Sequence, residues 1–472
     1  MLKYKTFFGM GFTISAIAYV FFHFLHLLFG ASFLLHALSF SGLSALVFGL
    51  CYLRNKEKIL PIFLIVLALI ISIFHEETVL SFVIWEGVQT MRALISIFLI
   101  IPIVGWVLKQ ENYVRDTIIL LKNQLKHSKF FYFILLWLTQ IIAFFLNFGS
   151  IAVVYHIVQS FFSKQKSEAW QRFKSTVSLR GFAFTTIWVI SIPSFVYSVE
   201  TMEASLAQSL IQGFAAALVG SAISVWLMHR YEKKHQFSLS KDIRSAFSDM
   251  DRAAAKKEKA HRNPIEFLFL FVSLLAFTLI VNTLFDVGLL TVIPLVVVVW
   301  SVTYFVLKKK LGTFLKEGKN YVKHEVPPRA REISLLIAAS IFIKTLTSSG
   351  LSVWIMNGLY HWTEMIPGLN FLWVLPLIVL LFGFFGLGPL TVMVLIAGIV
   401  KSIHLPYPPE VVVLAMTLGS ALSVLISPLV LPVLFLSSVN GASPFKNSVQ
   451  QNWSFAIAFY FIVELYIQMR IL

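Results

Sequence analysis

The sequence predicts an all-α polytopic membrane protein with about eleven transmembrane helices, two re-entrant helical hairpins and inverted five-helix repeats. Of its 472 residues, 58% are hydrophobic and only 13% are charged, whereas soluble domains carry about 25% charged residues. The apolar residues fall into blocks close to the roughly 20 residues that cross a bilayer as a helix. Most basic residues fall between these blocks. Together these observations exclude a soluble globular protein.

Thirteen apolar blocks follow one another along the chain. They span residues 9–29, 31–53, 59–74, 78–108, 130–163, 181–199, 206–229, 265–283, 287–307, 333–360, 369–402, 411–437 and 453–470. Eleven of them are predicted to cross the membrane once each. The other two, 130–163 and 369–402, are too long for one helix and too short for two crossings of about 20 residues each.

The charges around these two blocks predict re-entrant hairpins. Block 130–163 is flanked on both sides by basic residues, namely Lys109, Arg115, Lys122, Lys126, Lys129, Lys164, Lys166, Arg172, Lys174 and Arg180. Both of its ends are therefore expected in the cytoplasm, and the helix-breaking run from Asn147 to Ser150 lies in its middle. Block 369–402 breaks at Gly386 to Pro389 and has almost no cations at its flanks, so it is expected to enter from outside.

The positive-inside rule gives an orientation for the whole chain, with the N-terminus in the cytoplasm and the C-terminus outside. The first apolar block shows no small-residue cleavage site, so we expect it to be retained as a span. Nearly all of the 38 Lys and Arg residues then fall on the cytoplasmic side, the exceptions being Arg92, Lys344, Lys401 and Arg470. The basic stretches 230–262 and 308–331 are read as cytoplasmic loops, so the net charge of +16 needs no nucleic-acid partner. The plasma membrane is the simplest location.

The chain divides into a leading helix and two repeats. The predicted boundaries are 1–30 for the leading helix, 31–229 for the first repeat, 230–264 for a basic cytoplasmic linker and 265–472 for the second repeat. Each repeat holds two spans, a long span with polar interruptions, a hairpin, a span with an internal proline and a final span. Because each repeat has an odd number of full spans, the second is inverted relative to the first. Inverted repeats with interrupted helices are typical of secondary transporters.

Four helix breaks are expected to meet near the membrane midplane: both hairpin tips, Ser191 to Ser194, and Ser427 with Pro428. A broken helix frees backbone N–H and C=O groups, which is tolerated where they line a cavity or bind a ligand. Helix N-termini suit anions, and freed carbonyls suit Na⁺. The candidate substrate-binding residues at the breaks are Asn147, Gly149, Ser150, Ser191, Ser194, Gly388, Pro389, Thr391 and Ser427. The alternative is that each break is an ordinary kink and that Asn147 only caps a half-helix.

Four ionisable residues lie deep in predicted spans, where each costs about 2.5–3.5 kcal/mol on insertion scales. They are Glu86, Arg92, Lys344 and Glu464, and Lys344 is followed by Thr347 and Ser348. In a functional interpretation, Arg92 and Lys344, with these hydroxyls, bind an anionic substrate, and Glu86 or Glu464 accepts a coupling proton. In a structural one, Glu86 pairs with Arg92 and Lys344 pairs with Glu464.

Short motifs accompany this order of elements: Ala143 to Val154 at the first hairpin, Gly350 with Leu351 after a polar patch, and Gly386 to Thr391 at the second tip. Order, orientation and motifs resemble the ion transporter superfamily of secondary carriers, which includes arsenite, citrate and divalent-anion/sodium symporter families. The resemblance implies a secondary active transporter of a small anionic solute, with alternating access around the hairpin tips and broken helices. The coupling ion stays open between H⁺ and Na⁺.

Other classes of function find little support. The sequence contains no HExxH, GxSxG or Walker A motif, and its single cysteine, Cys51, excludes an internal disulfide and a cysteine-based metal cluster. We therefore expect no enzyme, no metal and no cofactor beyond a coupling ion. The expected partners are a small anionic substrate and the lipid bilayer, and a homodimer stays open. The alternative is a membrane-embedded envelope enzyme, a lipid flippase or an assembly factor, favoured if Glu86, Arg92, Lys344 and Glu464 cluster at a lipid-open groove.

Overall fold

The computed structural model describes residues 2–75, 80–121, 124–162, 167–236, 238–245, 263–285 and 287–471. Within these ranges the regular structure is helical and contains no strand. Ten helical segments are long and apolar enough to cross a membrane, or eleven if one bent pair counts as a single span. The chain is therefore an all-α polytopic membrane protein, as the sequence predicts. Much of the predicted linker, residues 246–262, lies outside the described ranges.

The described residues of the first half of the chain include the following helices. They are α1 (Leu2–Phe29), α2 (Ser32–Tyr52), α3 (Ile59–Phe74), α4 (Leu80–Thr90), α5 (Arg92–Ile100), α6 (Ile103–Leu108), α7 (Tyr113–Leu121), α8 (Ser128–Leu146), α9 (Gly149–Phe161), α10 (Glu168–Trp188), α11 (Pro193–Thr201) and α12 (Leu206–Lys234). The segments α4 to α6 together form one long interrupted span, Ser81–Leu108.

The second half follows the same order. Its helices are α13 (Asn263–Leu284), α14 (Leu289–Leu307), α15 (Leu311–Asn320), α16 (Ala330–Ser348), α17 (Leu351–Glu364), α18 (Phe371–Phe384), α19 (Pro389–Val400), α20 (Pro409–Ile426), α21 (Leu431–Asn440) and α22 (Gln451–Ile471). A turn of π-helix, Tyr321–Glu325, and a turn of 3₁₀-helix, Pro327–Arg329, precede α16. In both halves a helix pair, α8 with α9 or α18 with α19, precedes a broken span; α8 has 19 residues and is long enough to cross a membrane, whereas the other three are shorter.

Both helix pairs break at a residue with positive φ. Asn147 follows α8 with φ 51°, and its Oδ1 accepts a hydrogen bond from the Phe148 N–H at 2.7 Å. Gly386 separates α18 from α19 with φ 79°. Glycine reaches positive φ without a Cβ clash, and asparagine tolerates it better than most residues. The two residues thus explain why each apolar block forms two helices and not one.

The broken spans owe their shape to proline. Helix α10 ends at Trp188, and α11 begins at Pro193; α20 ends at Ile426, and α21 carries Pro432 in its first turn. Proline has no N–H to donate, so it fits the first turn of a new helix and not the interior of one. Each broken span packs against the first limb of the preceding hairpin, α10 against α8 and α20 against α18.

The prediction of one helical span over residues 333–360 is wrong. The segment is divided into α16 and α17, whose axes differ by 81°. Gly350 lies between them with φ 71°, in the left-handed region that ends a helix readily at glycine. The span predicted at 59–74 corresponds to α3, which at 16 residues is shorter than the helices that qualify as membrane spans.

Two basic residues assigned to a cytoplasmic loop are buried in a helix. The predicted span 181–199 begins earlier, at Glu168, so Lys174 and Arg180 lie inside α10 with 3% exposure each. Arg180 Nε donates to Asn452 Oδ1 at 2.9 Å, and its guanidinium lies 4.6 Å from the Phe455 ring centroid. Hydrogen bonds of this kind reduce the cost of burying a charge.

A cavity between four broken helices

The four breaks surround one cavity of about 590 Å³. This is within the roughly 300–1,000 Å³ range of small-molecule pockets. Each break contributes to the lining, with Asn147 and Gly149 from the first tip, Pro193 and Ser194 from the first broken span, Gly388 and Pro389 from the second tip, and Leu431 and Pro432 from the second broken span. The convergence expected from the sequence is therefore present.

Four helices begin at this cavity. Gly149, Pro193, Pro389 and Leu431 are the first residues of α9, α11, α19 and α21, and all four line it. The first N–H groups of a helix have no partner within the helix. A helix N-terminus carries a partial positive charge of about half a unit, which favours an anion.

Basic side chains that the sequence analysis assigned to cytoplasmic loops also line the cavity. They are Lys109 at the end of α6 and Arg329 and Arg331 at the start of α16. The Pro327–Pro328 pair just before them is the signal that could have placed them at a helix start, because proline favours the first turn. The lining also contains His324, Glu325 and Glu332.

Arg329 is held in a partly aromatic setting. Its Nη1 donates to the Phe98 carbonyl at 3.4 Å, and its guanidinium lies 5.1 Å from the Phe98 ring and 5.6 Å from the Tyr321 ring. Burial raises the pKa of Tyr321 to about 12, so its hydroxyl stays protonated and donates to the Leu99 carbonyl at 2.7 Å. The Nε of Arg329 is buried and has no hydrogen-bond partner within the described residues.

Arg331 connects α16 to the second hairpin tip. Its Nη2 donates to the Gly386 carbonyl at 3.4 Å, the residue with positive φ at the break. Neither Arg331 nor Arg329 forms a salt bridge within the described ranges. Lys109 differs, because its Nζ lies 3.5 Å from Glu317 Oε2 and 3.6 Å from Glu325 Oε1.

The residues predicted at the breaks fall into two groups. Six line the cavity, namely Asn147, Gly149, Ser194, Gly388, Pro389 and Thr391. Ser150, Ser191 and Ser427 are buried and do not line it. The Ser427 hydroxyl donates to the Gly383 carbonyl at 2.9 Å, whereas the hydroxyls of Ser150 and Ser191 have no partner within the described residues.

Lys344 and Glu86 form an ion pair outside the cavity lining. Lys344 Nζ lies 2.6 Å from Glu86 Oε2. The structural alternative, in which Lys344 pairs with Glu464 and Glu86 pairs with Arg92, is therefore wrong in its partners. The cause is the close crossing of α4 and α16, where a Cβ on Gly87 would lie only 2.8 Å from Ile341 Cα.

The other residues predicted around these charges also lie away from the cavity lining. Thr347 Oγ1 bonds to the Ile343 carbonyl at 3.1 Å, and Ser348 is exposed at the end of α16. Arg92 begins α5 and forms no salt bridge within the described residues. Glu464 is fully buried and accepts a hydrogen bond from Gln468 Nε2 at 2.7 Å. Among the described residues, Glu86 pairs with Lys344, and neither Arg92 nor Glu464 forms a salt bridge with them.

Comparisons with known proteins add no relative. No protein-family model matches the chain, and no curated protein matches it. The described residues contain no group of three or more His, Cys, Asp or Glu side chains that could hold a metal ion. The side chains and helix ends that line the cavity are therefore the guide to its ligand.

Proposed function

We propose that this chain is a secondary active transporter that carries a small anionic solute by alternating access around the cavity. The observation that supports it best is the pair Arg329 and Arg331, which form no salt bridge among the described residues and line a cavity where helices begin. Unpaired guanidinium groups and free backbone N–H groups are the donors that bind carboxylates and other oxyanions. The resemblance to the ion transporter superfamily agrees with this function.

In this proposal the bound anion is the negatively charged partner of Arg329 and Arg331. The guanidinium groups of Arg331 and Arg329 bind it, and the N-terminus of α19 lies beside it. Because Arg331 also contacts the Gly386 carbonyl, the state of the second hairpin tip is linked to occupancy of the site. Lys109 and His324 lie in stretches predicted to be cytoplasmic, so the cavity belongs to an inward-facing state.

The coupling ion stays open between H⁺ and Na⁺. Glu332 offers a proton site, because its carboxylate lines the same cavity as the two arginines, whereas neither Glu86 nor Glu464 lines it. Carbonyls freed at the helix breaks offer Na⁺ ligands of the usual kind. We also propose that the chain lies in the plasma membrane with its N-terminus in the cytoplasm. Its function in this proposal is transport and not catalysis.

A thermal-shift screen tests this function. Purified protein would be heated with a panel of carboxylates and oxyanions, with Na⁺ and pH varied, because a ligand of the folded state raises the melting temperature. We expect at least one anion to stabilise the wild type. Arg331→Gln should lose this stabilisation, and Lys401→Gln should keep it, because Lys401 is an exposed cation paired with Glu203 at 3.3 Å. If only lipids raise the melting temperature, the anion carrier is contradicted and a lipid flippase or assembly factor is favoured.

A further inference from the structure

The cavity that binds the proposed anion has mostly apolar and aromatic walls. Phe98, Trp106, Phe145, Phe148 and Phe182 all line it. Side-chain polar groups at the breaks are few there, with Asn147, Ser194 and Thr391 among them. A small, fully hydrated anion gains nothing from such walls, whereas an apolar group gains by leaving water.

The side-chain charges of the cavity nearly cancel. Three cationic side chains line it, Lys109, Arg329 and Arg331, and two acidic ones, Glu325 and Glu332. With both glutamates ionised, three positive charges against two negative charges leave one positive charge in excess.

The charged and apolar parts of the lining come from different segments. Arg329 and Arg331 lie at the start of α16, while Phe145 and Phe148 belong to the first hairpin tip. Phe148 also packs edge-on against Phe435, with ring centroids 5.8 Å apart. A ligand that satisfies both parts needs an anionic head and an apolar body.

We infer that the substrate is a compact amphipathic monoanion, with one carboxylate or similar head joined to an aliphatic or aromatic body. This rests on the proposed function and narrows its substrate class. The head binds Arg329 and Arg331, and the body lies against the aromatic residues of the first hairpin tip. A phospholipid with two acyl chains does not fit a volume of about 590 Å³.

Binding measurements on the full chain in nanodiscs test this substrate class. The probes are 3-phenylpropionate, its neutral amide, acetate, succinate, citrate, phosphate and phosphatidic acid. We expect 3-phenylpropionate to bind about 10- to 100-fold more tightly than acetate, because it buries a phenyl ring. The amide controls for partition into lipid and should not bind specifically. Phe148→Ala should weaken 3-phenylpropionate and leave acetate unchanged.

A charge variant tests the charge count separately. Glu332→Gln raises the excess charge of the cavity from one to two, so the preference should move toward a dianion with the same body. We expect the affinity for phenylsuccinate relative to 3-phenylpropionate to rise about tenfold, on the order of one close charge interaction. Lys401→Gln is the matched control and should leave this ratio unchanged.

The possible failures are distinguishable. If succinate, citrate or phosphate binds the wild type as tightly as 3-phenylpropionate, the amphipathic substrate class is overturned and the anion transporter stands. If phosphatidic acid alone binds, the head group belongs to a lipid and the inference is overturned. If none of these anions binds, the inference and the proposed function both fail.

Discussion

Helix α16 carries charged side chains around its first turn and again near its end, and the two sets differ in what they contact. Arg329 and Arg331 line the cavity and form no salt bridge within the described residues. Lys344 lies near the other end and pairs with Glu86 at 2.6 Å. Sequence reasoning favoured Lys344, because it lies deep in an apolar block. A charged residue deep in the membrane is costly to bury wherever it lies. Whether its charge is available to a ligand depends on whether another side chain already pairs with it.

The largest expected effect concerns the cavity end of α16. Arg331→Gln removes a charged donor and should weaken anion binding about 10- to 100-fold, the usual range for a hydrogen bond to a charged group. Titration of the stabilising anion against both proteins measures the loss. Lys401→Gln controls for the removal of a cation elsewhere. Equal affinities of Arg331→Gln and the wild type for the anion would show that Arg331 does not bind it.

The next effect concerns the crossing that brings Glu86 to Lys344. Gly87→Ala places a Cβ 2.8 Å from Ile341 Cα, so α4 has to move and the free energy of unfolding should fall by about 1–3 kcal/mol. Unfolding in mixed micelles would measure it. Gly358→Ala in α17 is the matched control, because a Cβ there meets no atom within 4 Å. A loss of stability equal in the two variants would show that the close crossing is unimportant.

A smaller effect separates two roles of Asn147. Asn147→Ala should lower the free energy of unfolding by about 1–2 kcal/mol, because alanine tolerates a φ of 51° poorly, and Asn147→Gly should restore it. If the amide also binds the substrate, Asn147→Gly remains stable and loses affinity. If affinity is intact in Asn147→Gly, the residue serves only the backbone of the tip.

The smallest effect is expected from the ion pair itself. Both side chains lie deep in predicted spans, and polar pairs between membrane helices contribute about 0.6 kcal/mol on average, so the coupling energy should be about 0.5–2 kcal/mol. A double-mutant cycle with Lys344→Met and Glu86→Gln measures it through the free energy of unfolding. A coupling energy of several kcal/mol would mean that the pair is a central structural element.

The fold class could be predicted from the sequence, because the length of the apolar blocks and the positions of the charges between them can be read directly from the local composition. The convergence of the breaks could be predicted from the same order of elements in both halves. The position of Arg329 and Arg331 at the cavity could not be predicted, because it depends on how the Pro327–Pro328 turn directs the start of α16 toward the hairpin tips. The partner of Lys344 could not be predicted either, because a contact between α4 and α16 sets it and no local sequence pattern encodes that contact.

The most direct test of the account compares the two ends of α16 with one anion. The measurement is the rise in melting temperature that this anion causes in Arg331→Gln and in Lys344→Ala. We predict that the rise is lost in Arg331→Gln and kept in Lys344→Ala, even if the latter protein melts earlier without ligand. A rise kept in Arg331→Gln and lost in Lys344→Ala would contradict the account and move the binding site to the ion pair.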